Sequence, residues 1–182
     1  SHQSSVSIGM TLFHGLENST DVLLKQADVA LYQAKDAGRN KLRFFNPAMQ
    51  AAIDSRSAME HALRQALSKQ EFQLYYQPQV DAQGGIVGAE ALLRWARPGI
   101  GMVSPAQFIP LAEETGLILP IGDWVLQTAC AQLMAWAGDA ATRHLRLAIN
   151  VSARQFHQAD FVERISGCLA RSGIDPSRLK LE

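Results

Sequence analysis

The spacing of hydrophobic and polar residues predicts a first group of secondary-structure elements in residues 1–46. The predicted elements are a strand over residues 5–13, a helix capped by Ser19 or Thr20, and a short strand over Leu42–Phe45. Gly38 is placed to end the helix in a left-handed conformation. Because one helix and two strands cannot bury a core alone, we interpret this segment as the end of a domain whose front part is absent.

A long helix is predicted next, with Asn46 as its cap and Pro47 in its first turn. Residues 48–69 are rich in alanine, methionine, leucine, glutamine and arginine, which are good helix formers. We interpret residues 47–59 as a linker helix that joins two domains. The alternative is that this helix is simply the first element of the second domain, which is expected to cover residues 60–182.

From Glu71 onwards the pattern changes to that of an α/β fold. Two alternating strands, Phe72–Val80 and Ile86–Trp95, are joined by a connection too short for a helix, which predicts an antiparallel hairpin. The elements predicted after the hairpin are a helix with Ser104 and Gln107 as its capping box and Gly116 at its end, a helix over Gly122–Ala137, a strand over Leu145–Val151, a helix from Asp160 to Gly173, and a strand from Leu179. Helices that alternate with nearly continuous apolar strands predict a parallel sheet of βα units.

The composition is that of an ordinary globular protein: 182 residues, 47% of them hydrophobic, with 17 basic and 17 acidic side chains. A formal net charge of zero gives no reason to propose binding to a nucleic acid polymer or to an acidic membrane. Cys130 and Cys168 fall in helical patterns, and we interpret them as small buried hydrophobic residues in a reducing compartment. Without a membrane-spanning stretch or a signal peptide the chain is expected to be cytoplasmic, although a missing segment could tether the parent protein to a membrane.

Three oxygen-bearing side chains are predicted at or near the carboxyl ends of strands: Glu90, Asn150 and Glu182. Glu90 also shares a strand face with Arg94, because side chains alternate along a strand with a period of two. In a β/α barrel this end of the sheet carries the active site, and oxygen ligands suit a hard cation such as Mg²⁺ or Mn²⁺. Taken singly, Asn150 could cap a loop and Glu182 could be a surface charge. Together with the face shared by Glu90 and Arg94, a common site is the better interpretation.

Five motifs, in one order, resemble the EAL domains, the family of cyclic di-GMP phosphodiesterases. The motifs are Tyr76–Val80 (YQPQV), Glu90–Trp95 (EALLRW), Ser104–Glu113 (SPAQFIPLAE), Leu147–Ser152 (LAINVS) and Leu179–Glu182 (LKLE). The resemblance covers roughly residues 60–182. It implies the amino-terminal half of a TIM-like (β/α) barrel, so that the expected fold is α/β with a partial barrel.

Residues 1–46 resemble the carboxyl-terminal end of a GGDEF domain, the diguanylate cyclase family. The motifs behind this resemblance are Val6–Gly9 (VSIG), Ala27–Lys35 (ADVALYQAK) and Gly38–Asn40 (GRN). The order of the two segments, joined by a helix, is that of tandem GGDEF–EAL proteins. Lys35 and Arg39 resemble a basic pair that contacts GTP phosphates, and their spacing of four predicts a shared helix face. Two solvated cations at a helix end are an equally good interpretation.

The EAL resemblance also implies roles for individual residues. The metal ligands would be Glu90, Asn150 and Glu182. The residues that contact the substrate would be Arg94, which matches a phosphate-binding arginine, and Gln77, Leu92 and Pro105, which match positions lining the nucleotide pocket. The general base of the family is expected beyond Glu182.

The reaction that the resemblance implies is metal-dependent hydrolysis of cyclic di-GMP to linear pGpG. The chain alone is expected to be inactive, because the general base and the second half of the barrel would lie beyond Glu182. The complete EAL domain would be the enzyme, and the resemblance suggests a homodimer. Two alternatives stay open: a non-catalytic cyclic di-GMP receptor, and a parent protein that acts mainly as a diguanylate cyclase on GTP.

Overall fold

The computed structural model describes residues 5–15 and 18–182. The chain divides into two compact units, Ser1–Met59 and Glu60–Glu182. The boundary between them lies inside one helix, α2 (Pro47–Ala66). The amide of Met49 donates a 3.1 Å hydrogen bond to the Asn46 side chain, so α2 begins as the sequence predicts.

The first unit contains a parallel two-stranded sheet, a helix that contacts it and the first part of α2. β1 (Ile8–Met10) pairs with β2 (Leu42–Phe44), and α1 (Thr20–Asp36) contacts both strands. Ser19 is the N-cap of α1, and its hydroxyl accepts a hydrogen bond from the Val22 amide. The predicted order of strand, helix and strand is therefore confirmed, with strands shorter than expected.

The end of α1 corrects one expectation. Lys35 lies in the last turn of the helix, but Arg39 lies beyond its end, so the two residues do not share a helix face. The reason is backbone geometry. Gly38 has a φ of 99°, and Arg39 and Asn40 have φ values of 58° and 49°, so the chain leaves the helical path. Both basic side chains are exposed.

The second unit is built on an open, mixed sheet with helices on one face. After α2 its elements are β3 (Phe72–Val80), β4 (Ile86–Arg97), β5 (Gly101–Val103), α3 (Pro105–Thr115), α4 (Ile118–Ala137), β6 (Arg146–Ile149), α5 (Ala153–Phe156), α6 (Phe161–Ser172) and β7 (Leu179–Leu181). The strand order is β3-β4-β6-β7, and β5 pairs with β4 outside that order. β3 and β4 form the predicted antiparallel hairpin, whereas β4, β6 and β7 run parallel. The α/β class is confirmed, and the described strands do not close into a barrel.

Some boundaries and caps differ from the sequence prediction. The pattern does not predict β5 or α5, and α4 begins at Ile118 rather than at Gly122. The capping box predicted at Ser104 is wrong, because its side chain makes no capping hydrogen bond. The amide of Gln107 donates to the Ser104 carbonyl at 2.9 Å. Gly116 ends α3 in the left-handed conformation as expected, with a φ of 79°.

The core of the second unit lies between one face of the sheet and the helices. The buried residues that β4 and β6 contribute to it are Ala89, Ala91, Trp95, Leu147 and Ile149. α3 contacts β4 and α4 contacts β6, so these two helices cover this face. Because side chains alternate along a strand, Glu90 and Arg94 are directed to the other face, where both are half-buried.

α3 and α4 are also the most apolar helices of the unit. No single helix within residues 5–15 and 18–182 is long and apolar enough to cross a membrane. α3 and α4 meet the length and composition criteria only as a pair, and the pair is bent by 118° at the break between them. In this fold the buried side chains of α4 belong to the core, among them Ile121, Ala129 and Leu133.

Cys130 of α4 and Cys168 of α6 are free and buried, as the sequence predicts, and their Sγ atoms lie 3.6 Å apart. Burial, reinforced by the neighbouring thiol, raises the pKa of Cys130 to about 11. Because the thiolate is the reactive form, we expect iodoacetamide at pH 8 to label Cys130 about 100-fold more slowly in the folded chain than in urea. Timed labelling followed by peptide mass spectrometry measures this ratio, and equal rates would contradict it.

Candidate functional site

One face of the sheet carries most of the residues that the sequence singled out. In the strand registers, Gln77 of β3 and Ala148 of β6 both lie opposite Glu90 of β4. Asn150 is two residues beyond Ala148, so its side chain is on the same side of the sheet as that of Glu90. Arg94, four residues along β4, shares this face as well.

Glu90 and Asn150 are in direct contact although they are 60 residues apart in the chain. The Asn150 Nδ2 donates a 2.7 Å hydrogen bond to Glu90 Oε1. The parallel pairing of β4 with β6 brings the two side chains together at the edge where β6 ends. The predicted proximity is therefore observed, and a role in metal binding stays a prediction for both residues.

Glu182 continues the sheet beyond β7. Its amide donates to the Ile149 carbonyl at 3.0 Å, and its carbonyl accepts from the Val151 amide at 2.9 Å. These two bonds bracket Asn150, so the backbone of Glu182 lies beside it. The Glu182 carboxylate is engaged elsewhere, however, because its Oε1 pairs with Lys180 Nζ at 2.7 Å.

Arg94 presents a half-buried guanidinium to the same face. Its Nη1 donates to the Leu93 carbonyl at 3.0 Å, and its Cζ lies 5.6 Å from the centre of the Tyr75 ring. Within residues 5–15 and 18–182 no carboxylate lies within 4.0 Å of Arg94. A guanidinium held by a ring and one carbonyl keeps its other N–H groups available for an anion.

A cavity of about 330 Å³ opens at the carboxyl ends of β4 and β6. The predicted site residues that line it are Leu92, Arg94, Pro105 and Asn150. Those that do not line it are Gln77, Glu90 and Glu182. Pro105 reaches the cavity because α3 begins there, and the remaining walls come mainly from α3 and α4. This volume and its mixture of apolar and polar walls are typical of a small-molecule site.

The segment after Asn150 contains a capping box that the sequence reasoning missed. The Ser152 Oγ accepts from the Gln155 amide at 3.2 Å, and Gln155 Oε1 accepts from the Ser152 amide at 3.1 Å and from its hydroxyl at 3.0 Å. Gln155 also lines the cavity. The Ser-x-x-Gln spacing at residues 152–155 is the signal that could have revealed this box.

The donors at this edge of the sheet fit a hard divalent cation in their chemical type. Glu90 and Glu182 offer carboxylate oxygens, and Asn150 offers an amide oxygen. In the part of the chain that the structure describes, no three His, Cys, Asp or Glu side chains are grouped so that they could hold a metal ion. The amide would therefore have to take part. A cation on Glu90 Oε1 would also displace the hydrogen bond from Asn150.

The family model of the EAL domain matches residues 60–182. This chain belongs to the EAL domain family. The resemblance carried by the five motifs between Tyr76 and Glu182 is thereby confirmed. Residues 1–59 lie outside the matched range.

Curated relatives of this EAL protein align with nearly all of the chain. MucR of Pseudomonas aeruginosa, a bifunctional diguanylate cyclase/cyclic di-GMP phosphodiesterase, is 44% identical over 98% of this chain and 26% of its own length. The cyclic di-GMP phosphodiesterase NbdA of the same organism is 36% identical over 98% of this chain and 23% of its own length. The oxygen sensor protein DosP of Escherichia coli is 38% identical over 98% of this chain and 22% of its own length. The chain thus spans about a quarter of the length of these relatives.

Solved EAL structures share the fold. The PaMucR phosphodiesterase in complex with c-di-GMP is 45% identical, with a TM-score of 0.66 over 68% of this chain and 50% of that chain. The EAL enzyme Bd1971 with cAMP and cyclic-di-GMP bound is 30% identical, with a TM-score of 0.68 over 91% of this chain and 44% of that chain. The FimX EAL domain of Xanthomonas citri with c-diGMP is also 30% identical, with a TM-score of 0.62 over 72% and 51%. This chain therefore has the α/β fold of EAL domains over part of their length.

Proposed function

We propose that the complete protein containing this chain hydrolyses cyclic di-GMP to linear pGpG with Mg²⁺ or Mn²⁺. The observation that carries the proposal is the contact between Glu90 and Asn150 beside a cavity lined by Arg94. Membership of the EAL family supports it, as do relatives whose names include cyclic di-GMP phosphodiesterase and a related structure that holds c-di-GMP.

The open sheet is, in this proposal, the first half of a TIM-like (β/α) barrel. β4, β6 and β7 run parallel with helices on one face, and the chain covers only 50% of the solved PaMucR phosphodiesterase. The polar face with Glu90 and Arg94 would then be the barrel interior, with Asn150 and Glu182 at its carboxyl-terminal rim. The general base would come from outside this chain, so the chain alone is expected to be inactive.

Glu90, Asn150 and Glu182 are the residues that would hold the cation in the complete domain. When bound, the cation would activate a water molecule for attack on phosphorus and stabilise the leaving oxygen. The two carboxylates would supply the negative charge that a divalent ion requires, and the amide oxygen of Asn150 would be a neutral ligand. Glu182 would have to release Lys180 for this task.

Arg94 would bind a phosphate of the substrate. Its contacts with Tyr75 and the Leu93 carbonyl hold the guanidinium in place, and its remaining N–H groups can form paired hydrogen bonds with phosphate oxygens. Leu92 and Pro105 would pack against the nucleotide in the cavity. Gln77 lies on the same face but outside the cavity, so it would contact only a part of the nucleotide that extends towards β3.

The domain organisation belongs to the same proposal. Residues 1–46 would be the end of a GGDEF domain, residues 47–59 a linker helix, and residues 60–182 the first half of the EAL domain. The alignment of 98% of the chain with a bifunctional cyclase and phosphodiesterase supports this order. Lys35 and Arg39 would then lie near GTP phosphates without sharing a helix face, and the EAL domain would form a homodimer in the cytoplasm.

An assay of the full-length protein with cyclic di-GMP tests the proposed function. We expect the protein to form pGpG in a Mg²⁺-dependent reaction, with the product measured by chromatography. The rate of pGpG formation should fall at least about 10-fold when EDTA removes the metal. Cyclic di-AMP is the matched control substrate and should be hydrolysed far more slowly. Binding of cyclic di-GMP without hydrolysis would favour the receptor alternative, and synthesis from GTP alone would favour the cyclase alternative. A full-length protein that shows neither binding nor hydrolysis of cyclic di-GMP would overturn the proposal.

A further inference from the structure

We infer that Gln155, seated in a notch left by Gly122, is a positioning residue that holds Asn150 against Glu90. The inference rests on the proposed function, because it serves the task that the proposal gives to Asn150. Gly122 lies in the second turn of α4, and Gln155 lies in α5, just after the segment that leaves β6. Both residues line the cavity beside Asn150 and Arg94.

The notch exists because Gly122 has no Cβ. A Cβ at this position would overlap the side-chain amide of Gln155. Gly122 is not among the glycines with positive φ, so its backbone conformation does not require glycine. Glycine inside a helix is about 0.5–1 kcal/mol less favourable than alanine, so α4 is weakened at this point without a conformational reason. The space that Gln155 occupies is the feature of the structure that accounts for this glycine.

The seated side chain of Gln155 fixes the chain that follows Asn150. It completes the capping box with Ser152, so the Ser152 amide is bonded to Gln155 Oε1. The Val151 amide is bonded to the Glu182 carbonyl on the neighbouring strand. The two peptide groups after Asn150 are therefore both held, one by the sheet and one by Gln155.

Arg154 ties the same helix to a second wall of the cavity. Its Nη1 donates to the Glu113 carbonyl and, at 3.3 Å, to the Glu114 carbonyl at the end of α3. α3 begins with Pro105, which lines the cavity. α5 is thus anchored to α3 through Arg154 and to α4 through Gln155, and this double anchor sets where Asn150 stands relative to both walls.

A methyl group on Gly122 should displace the Gln155 amide and little else, because the overlapping atoms are the far end of a flexible side chain. The Ser152 amide and hydroxyl then lose their acceptor, Gln155 Oε1, and the segment that follows Asn150 is held less firmly. Contacts that orient metal ligands typically change affinity or activity by 10- to 100-fold when they are removed. The Gly122→Ala variant should therefore remain folded but carry a misplaced Asn150.

The first test observes Asn150 directly and does not depend on activity. Full-length protein labelled with ¹⁵N-asparagine gives a side-chain amide resonance for Asn150, identified by its absence in Asn150→Asp. We expect Gly122→Ala to shift this resonance in the wild-type background. In a Gln155→Ala background the methyl group has nothing to displace, and the same substitution should cause no further shift. Gly167→Ala in α6, where a Cβ would lie 3.2 Å from Arg171 Nη1, is the matched control and should leave the resonance unchanged.

The second test is a double-mutant cycle on hydrolysis of cyclic di-GMP. We expect Gly122→Ala and Gln155→Ala each to lower kcat by roughly 10- to 100-fold, with KM changed by less than about threefold. The double variant should be no worse than Gln155→Ala alone, whereas independent effects would multiply. The melting temperature of Gly122→Ala should change little, because the higher helix propensity of alanine offsets the lost hydrogen bonds between Gln155 and Ser152.

The outcomes separate this inference from the proposed function. An unchanged Asn150 resonance in Gly122→Ala overturns the inference whether or not the wild type is active. A shifted resonance with an unchanged kcat, or multiplying losses in the cycle, overturns it as well. A wild-type protein that neither binds nor hydrolyses cyclic di-GMP overturns the proposed function. In that case the resonance test still shows whether Gln155 positions Asn150.

Discussion

Replacing Glu90 by glutamine is expected to lower kcat for cyclic di-GMP hydrolysis by on the order of 10²–10⁴-fold. The substitution removes one negative charge from the edge of the sheet where the cation is proposed to bind. It keeps the side-chain shape and an oxygen that can accept the 2.7 Å hydrogen bond from Asn150. The loss should therefore appear in the chemistry and in metal affinity, and not in folding.

Steady-state kinetics at several Mg²⁺ concentrations, with a melting curve for each variant, measure this effect. The matched control is Glu60→Gln, because Glu60 is a carboxylate on α2 that pairs only at the surface with Arg64, at 2.6 Å. The control should keep kcat within about twofold. If Glu90→Gln is as active as the wild type, Glu90 is not a metal ligand and the proposed site is wrong.

Replacing Trp95 by alanine is expected to cost about 3–5 kcal/mol of unfolding free energy, the largest stability loss from one side chain in this unit. Trp95 is fully buried. Its ring centre lies 6.1 Å from that of Phe72 and 5.5 Å from that of Phe108, and its Nε1 donates a 2.9 Å hydrogen bond to Glu71 Oε2. Alanine would leave a cavity among aromatic rings and an acceptor without its donor.

The free energies of unfolding are measured by urea titration, with far-ultraviolet circular dichroism as the signal. Trp95→Phe keeps an aromatic ring but removes the donor to Glu71, so it should cost about 1–3 kcal/mol. Met102→Ala on β5 is the surface control, because Met102 is 51% exposed, and its effect should stay within about 0.5 kcal/mol. A loss below about 1 kcal/mol for Trp95→Ala would show that this aromatic cluster does not hold β4 to α3.

Local signals in the sequence predicted the elements that local physics controls. Alternation along β4 placed Glu90 and Arg94 on one face, and the short connection before Ile86 predicted the antiparallel hairpin. Gly116 and Gly173 end their helices in the left-handed conformation, as expected for helix C-termini. These features depend on steric and hydrogen-bonding preferences within a few residues, which the sequence shows directly.

Sequence reasoning failed where two local signals were alike or where no local signal existed. Ser-x-x-Gln occurs both at residues 104–107 and at 152–155, and only the second segment forms the capping box. In both segments the glutamine amide donates to the serine carbonyl, so this main-chain bond does not distinguish them. The spacing of Lys35 and Arg39 predicts a shared helix face, but α1 ends at Asp36, and the positive φ of Gly38 takes the chain off the helical path.

By itself the sequence determined the α/β class, the membership of the EAL family and the identity of the residues that could form a site. Tertiary structure alone decided which of these side chains meet. Glu90 and Asn150 touch because β4 and β6 pair in one register, while the Glu182 carboxylate turns to Lys180. The Gln155 side chain, placed against Gly122, brings together α4 and α5, which precede and follow β6 in the chain. The contacts of Glu90 with Asn150 and of Gln155 with Gly122 depend on how strands and helices pack, and no short window of sequence contains both partners.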